Sequence, residues 1–214
     1  MLEFINVSGT GKGFCLNNIS FCAKEGFITG ITGANGAGKT TLLRYIFEEN
    51  IPYEGTIRFR GTDIRSIHDS LRDKSGYISD DRRFFEELSA LENARLLSDF
   101  YSNWDEKIFT SQMNEMNVST GKMLAHLSRG EYIRFQLAFA MAHKSELYLL
   151  DEVTAGMDPV FRRDFYKFLH NLIATQNVTI IMTTHIEEEI RSHMDYTGVL
   201  QDGKLISFGE VGIS

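Results

Sequence analysis

The sequence predicts an α/β fold: a core on a mainly parallel sheet, an antiparallel β edge, and a helical subdomain inserted into that core. Three observations carry this reading. Short unbroken apolar runs at 26–32 ("GFITGIT"), 146–152 ("ELYLLDE") and 177–185 ("NVTIIMTTH") read as strands buried on both faces, the usual mark of a parallel sheet. Strand-like segments at about 2–7, 15–22 and 54–60, with Gly61 opening a turn, suit a β-rich edge. From 82 to about 145 the pattern changes to long amphipathic stretches such as "LSALENARLLSDFY" and "GEYIRFQLAFAMAH". The expected organisation is one domain over 1–214, with 1–81 and 146–214 as core and 82–145 as helical subdomain.

The first apolar run ends in "GANGAGKTT", residues 33–41, and "TTLLRYIF" after it has helical spacing. A glycine-rich loop between a strand and a helix is suited to phosphate. Its backbone N–H groups and the positive helix end surround an anion, and glycines allow close approach. Gly33, Ala34, Asn35, Gly36, Ala37, Gly38, Lys39, Thr40 and Thr41 form this loop, with Gly33, Gly38, Lys39 and Thr40 matching G-x-x-x-x-G-K-[ST]. Lys39 is placed to reach the outer phosphates and the Thr40 hydroxyl to ligate magnesium. This is the start of a P-loop NTPase core.

The second run ends in Asp151 and Glu152, and the third in His185. Ligands of an open parallel sheet collect outside the carboxyl ends of its strands, so these ends converge on one site. Asp151 is expected in the magnesium shell. Glu152 is expected to face the water that attacks the γ-phosphate. Past His185, "DYTGVLQDGKLISFG" reads as two short strands around an Asp202-Gly203 turn.

A formal net charge of −7 gives no diffuse attraction to phosphate backbones, so no nucleic-acid partner is expected. The pairs Arg82/Arg83 and Arg162/Arg163 read as solvated helix faces. Cys15 and Cys22 read as small buried residues of a strand instead of a disulfide. Neither a run of 18 uncharged apolar residues nor a signal-peptide pattern is present, which suggests a soluble, cytoplasmic chain.

Between the loop and the acid pair lies "LSRGEYIRFQLAFAMAHKSELYLLDEVTAGMDP", residues 127–159. Together with the phosphate loop and His185, this segment resembles the ATP-binding cassette (ABC) ATPases, whose signature "LSGGQ" precedes a helix and an apolar strand ending in Asp-Glu. The order of motifs is matched over essentially the whole chain. "DPVFRRDFYKFL" and "GYISDD" look most like the ATPases of small bacterial exporters, including those for peptides and drugs.

The resemblance implies ATP and Mg2+ as ligands and a composite site completed by a second cassette. Ser128 and Gly130 match the signature residues that touch the γ-phosphate held by the opposite subunit. Arg129 stands in place of the first signature glycine and Glu131 in place of glutamine. Arg129 either adds a cation to the site or points to solvent. Asp158 matches the aspartate of the loop joining the two sites of a dimer. Phe14 is the candidate for stacking on adenine, or else belongs to the core. The family's glutamine after a "GY" strand is replaced by Asp80, which either joins the magnesium shell or, with Asp81, caps the helical subdomain. By resemblance Glu152, His185 and Lys39 carry the chemistry, with His185 on the γ-phosphate.

The implied function is an ATPase subunit of an ABC transporter, peripheral on the inner membrane face through a separate permease. The length matches a minimal cassette and suggests no added domain. A soluble ABC protein on ribosomes or chromosomes would be expected to carry two cassettes or a long coiled coil. A weakly hydrolysing regulatory module would show little magnesium-dependent turnover. The segment "RRFFEELSALEN", 82–93, is expected to lie on a helix and to receive a helix of the permease, with Phe84 or Phe85 exposed.

Overall fold

A computed structural model describes residues 1–11 and 14–212, the side chains at 10 and 14 excepted. The chain opens with strands β1 (Leu2–Gly11) and β2 (Phe14–Ala23), then the buried strand β3 (Ile28–Thr32) and helix α1 (Lys39–Phe47). Strand β4 (Glu54–Phe59) returns to pair with β1, and β5 (Thr62–Asp63) completes an antiparallel sheet of order β2-β1-β4-β5. Helix α2 (His68–Asp73) leads into β6 (Ser75–Ile78). Three helices follow: α3 (Ala90–Ser98), α4 (Glu106–Glu115) and α5 (Arg129–Ala142). The chain then alternates β7 (Leu147–Asp151), α6 (Pro159–Thr175), β8 (Thr179–Thr184) and α7 (Glu187–His193), and ends in the hairpin β9 (Tyr196–Gln201) and β10 (Lys204–Glu210).

The larger sheet runs β10-β9-β3-β8-β7-β6, parallel throughout except for the β9–β10 hairpin. The expected fold class is the observed one: parallel core sheet, antiparallel β edge, and helices between β6 and β7. Every residue of β3 and β8 is buried, which explains their unbroken apolar runs. Leu42, Leu43, Tyr45 and Ile46 of α1 fill the space between the two sheets. On the opposite face, Ile133 and Leu137 of α5 and Tyr166 and Leu169 of α6 cover Tyr148, Ile180 and Met182.

The helices between β6 and β7 have their own core, centred on Phe109, Phe135 and Phe139. Helix α5 serves both cores. Its C-cap, His143, is buried, stacks on Tyr101 with ring centroids 4.1 Å apart, and has Nδ1 3.0 Å from the Asp73 carbonyl. A carbonyl only accepts, so Nδ1 carries the proton and donates. Burial pushes the His143 pKa down to about 4.

Three local expectations need correction. Phe84 and Phe85 sit in the loop ahead of α3, not on a helix: Ser89 is the N-cap, and its capping box with Glu92 sets the helix start there. Phe84 packs edge-on against Phe135 and Phe139, whereas Phe85 is 45% exposed. The cysteines are not buried: an irregularity at Asn18, with φ 54°, shifts the alternation so that Leu16 before it and Ile19, Phe21 and Ala23 after it face inward, leaving Cys15 exposed and Cys22 half-buried, both as free thiols. Nor are the arginine pairs simply solvated. Arg83 lies over the Tyr77 ring at 4.5 Å, and Arg162 Nε is 3.2 Å from the buried Glu189 carboxylate.

Candidate functional site

Sheet register brings the predicted residues to one edge. Thr32 of β3 pairs with Thr184 of β8, and Thr183 of β8 pairs with Asp151 of β7. Gly33, His185 and Glu152 therefore leave the sheet side by side. Ile78 of β6 pairs with Leu150, so Ser79 and Asp80 emerge next to them. This is the carboxyl edge of the parallel strands, where such sheets bind ligands.

The loop from Gly33 to Gly38 has the backbone its glycines require. Gly38, the N-cap of α1, has φ 106°, a left-handed conformation. Gly33 has φ 151°, and a Cβ there would stand 2.1 Å from the Leu200 carbonyl oxygen, so nothing larger fits. Asn35, Gly36, Gly38, Lys39, Thr40 and Glu152 are among the residues that line an open cavity of about 540 Å³. Lys39 is 4% exposed, and its amine donates to the carbonyls of Gly33 and Ala34 at 2.8 and 3.1 Å. Glu152 Oε1 stands 3.0 Å from the same amine. The buried cation is thus held by two loop carbonyls and one acid.

Two residues not read from the sequence organise the acids. Thr183 donates to Asp151 Oδ1 at 2.6 Å, and Tyr77 donates to Oδ2 at 3.1 Å. Thr183 Oγ1 also accepts from the Glu152 N–H at 3.0 Å. Burial, with the negative Asp151 beside it, raises the Tyr77 pKa well above the usual phenol range, so Tyr77 remains a donor at any ordinary pH. Glu152 has φ 49°, a costly conformation for a residue with a Cβ. His185 is exposed, with Nδ1 3.9 Å from Glu152 Oε2.

The remaining candidates occupy distinct settings. Ser128 is the N-cap of α5 in a capping box with Glu131, and Glu131 is further held by Lys122 at 2.9 Å. That bond lowers the Glu131 pKa. Gly130 faces the Phe161 ring, which a Cβ would approach to 3.1 Å. Asp158 caps α6 by accepting from the Val160 and Phe161 amides. Asp80 is paired through both oxygens with Arg129. The Phe14 ring lies outside the described residues.

The family model described as ABC transporter matches residues 16–155. The chain belongs to that family. Among curated relatives, the bacitracin transport ATP-binding protein BcrA of Enterococcus faecalis is 30% identical over 95% of this chain and 66% of its own length. The methionine import ATP-binding protein MetN of Corynebacterium glutamicum is 29% identical over 94% of this chain and 59% of its own. The chain therefore spans less than two thirds of these relatives. Among solved structures, the dimeric post-hydrolysis state of the cassette MJ0796 bound to ADP and Pi superposes with a TM-score of 0.86, covering 99% of both chains at 23% identity. The last comparison shows that this cassette has the ABC fold.

A hard cation fits the cassette's site. The Thr40 hydroxyl lines the phosphate-loop cavity, and Asp151, at the carboxyl edge of the same sheet, retains lone pairs beyond its two hydrogen bonds. Among the described residues no group of three or more His, Cys, Asp or Glu forms a metal cage. Magnesium needs none, since it keeps waters and uses one or two protein oxygens beside substrate phosphates.

Proposed function

We propose that the chain is the ATP-hydrolysing subunit of an ABC transporter, working as a sandwich of two cassettes that energises a separate membrane permease. One observation carries the reading: the buried Lys39 amine faces Glu152 at the sheet edge where Asp151 and His185 also emerge. Loop amides and the N-terminus of α1 cradle the phosphates, and Lys39 leaves its carbonyl partners for the outer oxygens. That exchange releases Glu152 from the lysine to polarise the attacking water, while His185 contacts the γ-phosphate. Thr40 and Asp151 would hold magnesium, with Asp80 as a further candidate for its shell, and the ion would supply positive charge against the phosphates. Ser128 and Gly130, with Asp158, face the ATP of the second cassette, whereas Arg129 is turned onto Asp80 and the Glu152 carbonyl, and Glu131 onto its cap and Lys122.

Export is the proposed direction, supported by the bacitracin transport relative; the methionine import relative is the argument against it. No described helix is long and apolar enough to cross a membrane; the transport path is assigned to the permease. Magnesium-dependent phosphate release by the purified chain tests the enzymatic half of the proposal. Transport of a labelled peptide antibiotic out of cells carrying the chain with its permease, against a Lys39→Ala control, tests the other half.

Two further outcomes are expected. Asp80→Ala raises the magnesium concentration for half-maximal turnover several-fold and leaves the nucleotide-free melting curve nearly unchanged, and Asp80→Gln recovers much of the activity. An unchanged magnesium midpoint removes Asp80 from the metal shell. The permease helix is proposed to enter the cleft of about 540 Å³ lined by Asp69, Arg72, Asp73, Leu97, Phe100 and Tyr101. Phe100 is 77% exposed at its rim. Phe100→Ala at this cleft, and Phe85→Ala on the 82–93 segment proposed to contact the same partner, should uncouple transport while basal hydrolysis persists, because neither ring belongs to a core cluster. Transport that survives both changes rules this docking surface out.

A further inference from the structure

Two of the positions at which this chain departs from the family pattern, Asp80 and Arg129, meet in space. Arg129 is the first residue of α5. Its Nε donates to Asp80 Oδ1 at 2.7 Å, and its Nη2 lies 2.6 Å from Asp80 Oδ2, a two-pronged pair that fixes the guanidinium plane. The same Nη2 donates to the Glu152 carbonyl at 3.2 Å. Gly156 lies beneath the guanidinium: with φ 70°, a Cβ there would stand 3.2 Å from Nη1. The Glu152 carbonyl also accepts from the Ala155 amide at 3.3 Å, so Arg129 is one of two donors that hold this peptide.

The geometry points to Arg129, oriented by Asp80, as a positioning residue for Glu152. The backbone of Glu152 is left-handed, a conformation that persists only when its surroundings over-determine it. On the amide side it is fixed by Thr183, and on the carbonyl side by Arg129 and Ala155. These restraints aim the carboxylate at Lys39 and the phosphate loop. A guanidinium satisfies a carboxylate fork and a carbonyl together, whereas an ammonium of different reach does not reproduce that plane. The pair also ties the first turn of α5 to the catalytic edge of the core, so displacement of α5 is transmitted to Glu152. This inference rests on the ATPase reading, since it assigns Glu152 its role.

The test compares wild type, Arg129→Ala, Arg129→Lys, Asp80→Asn and the Asp80→Asn/Arg129→Ala double variant. Two readouts are used: amide hydrogen exchange of residues 153–157 without nucleotide, and ATPase kinetics with magnesium titrated up to saturation. Arg129→Ala is expected to speed exchange in that segment about tenfold and leave exchange in β7 and β8 unchanged. Its kcat should fall by roughly tenfold to a hundredfold with KM for ATP within about twofold, the pattern of a misaimed group. Arg129→Lys should recover only part of either loss. The double variant should exchange no faster than Arg129→Ala, because both changes cut one connection. Unchanged exchange in Arg129→Ala, or an unchanged kcat despite faster exchange, overturns the inference. So does a magnesium midpoint that moves with Arg129→Ala and accounts for the whole loss. Absence of turnover in the wild type overturns the ATPase reading itself, and the wild-type control distinguishes that failure from the others.

Discussion

Glu152→Gln is expected to bind ATP but to hydrolyse it on the order of 10²–10⁴-fold more slowly, and to accumulate as a nucleotide-bound dimer. Glutamine keeps the length and shape of glutamate, so the left-handed backbone and its bonds to Thr183 and Arg129 remain available. What it loses is negative charge. An amide oxygen polarises water far less than a carboxylate, which removes the general base. Loss of the same charge frees Lys39, whose amine sits 3.0 Å from Glu152, for the phosphates. Binding should therefore hold or improve while the chemical step fails. Light scattering with ATP and magnesium, beside phosphate release, reads both effects. Undiminished turnover with only monomer in solution would remove Glu152 from this role.

The largest expected effect on stability is a pH dependence carried by His143. Burial holds its folded pKa at about 4, below the unfolded value near 6.5, so the unfolded chain binds the extra proton between these limits. The stabilisation of the neutral ring is complete above about pH 6.5 and drains away as pH falls toward 4. At pH 5 the loss is about 2 kcal/mol, or roughly 4–8 °C in melting temperature for a chain of this size. Glu131 does not mask the effect. Its folded pKa is lowered from 4.5, so its contribution is retained until below that value. His193 shifts in the same direction but is half-buried, so its part is smaller. His143→Gln retains a hydrogen-bond donor and cannot take the proton. Melting curves of this variant should be lower at pH 7 and flatter between pH 7 and 5. A variant as steep as wild type assigns the dependence elsewhere.

The legible parts of this molecule are those written in local pattern. Buried parallel strands appear as apolar runs, and the phosphate loop as glycines ahead of a helix, because both rest on backbone geometry that neighbouring residues dictate. The capping box of Ser128 and Glu131 has the S-x-x-E form, equally legible in local pattern, and that cap together with Lys122 holds Glu131. Long-range partners leave no such trace. Tyr77 lies 74 residues from Asp151, and Arg129 lies 49 from Asp80, so register and the approach of α5 alone reveal these pairs. Thr183 is intermediate: its strand was legible, but its pairing with Asp151 follows only from sheet order.

The central claim is that this chain hydrolyses ATP in a site completed by a second cassette. Its most direct test is the magnesium-dependent rate of phosphate release as a function of protein concentration. If the signature of one copy completes the phosphate loop of another, the rate per chain rises with concentration and levels off once the dimer forms, and Ser128→Arg abolishes the rise. A rate per chain that is constant over the whole range, with scattering that shows monomer throughout turnover, would contradict the account.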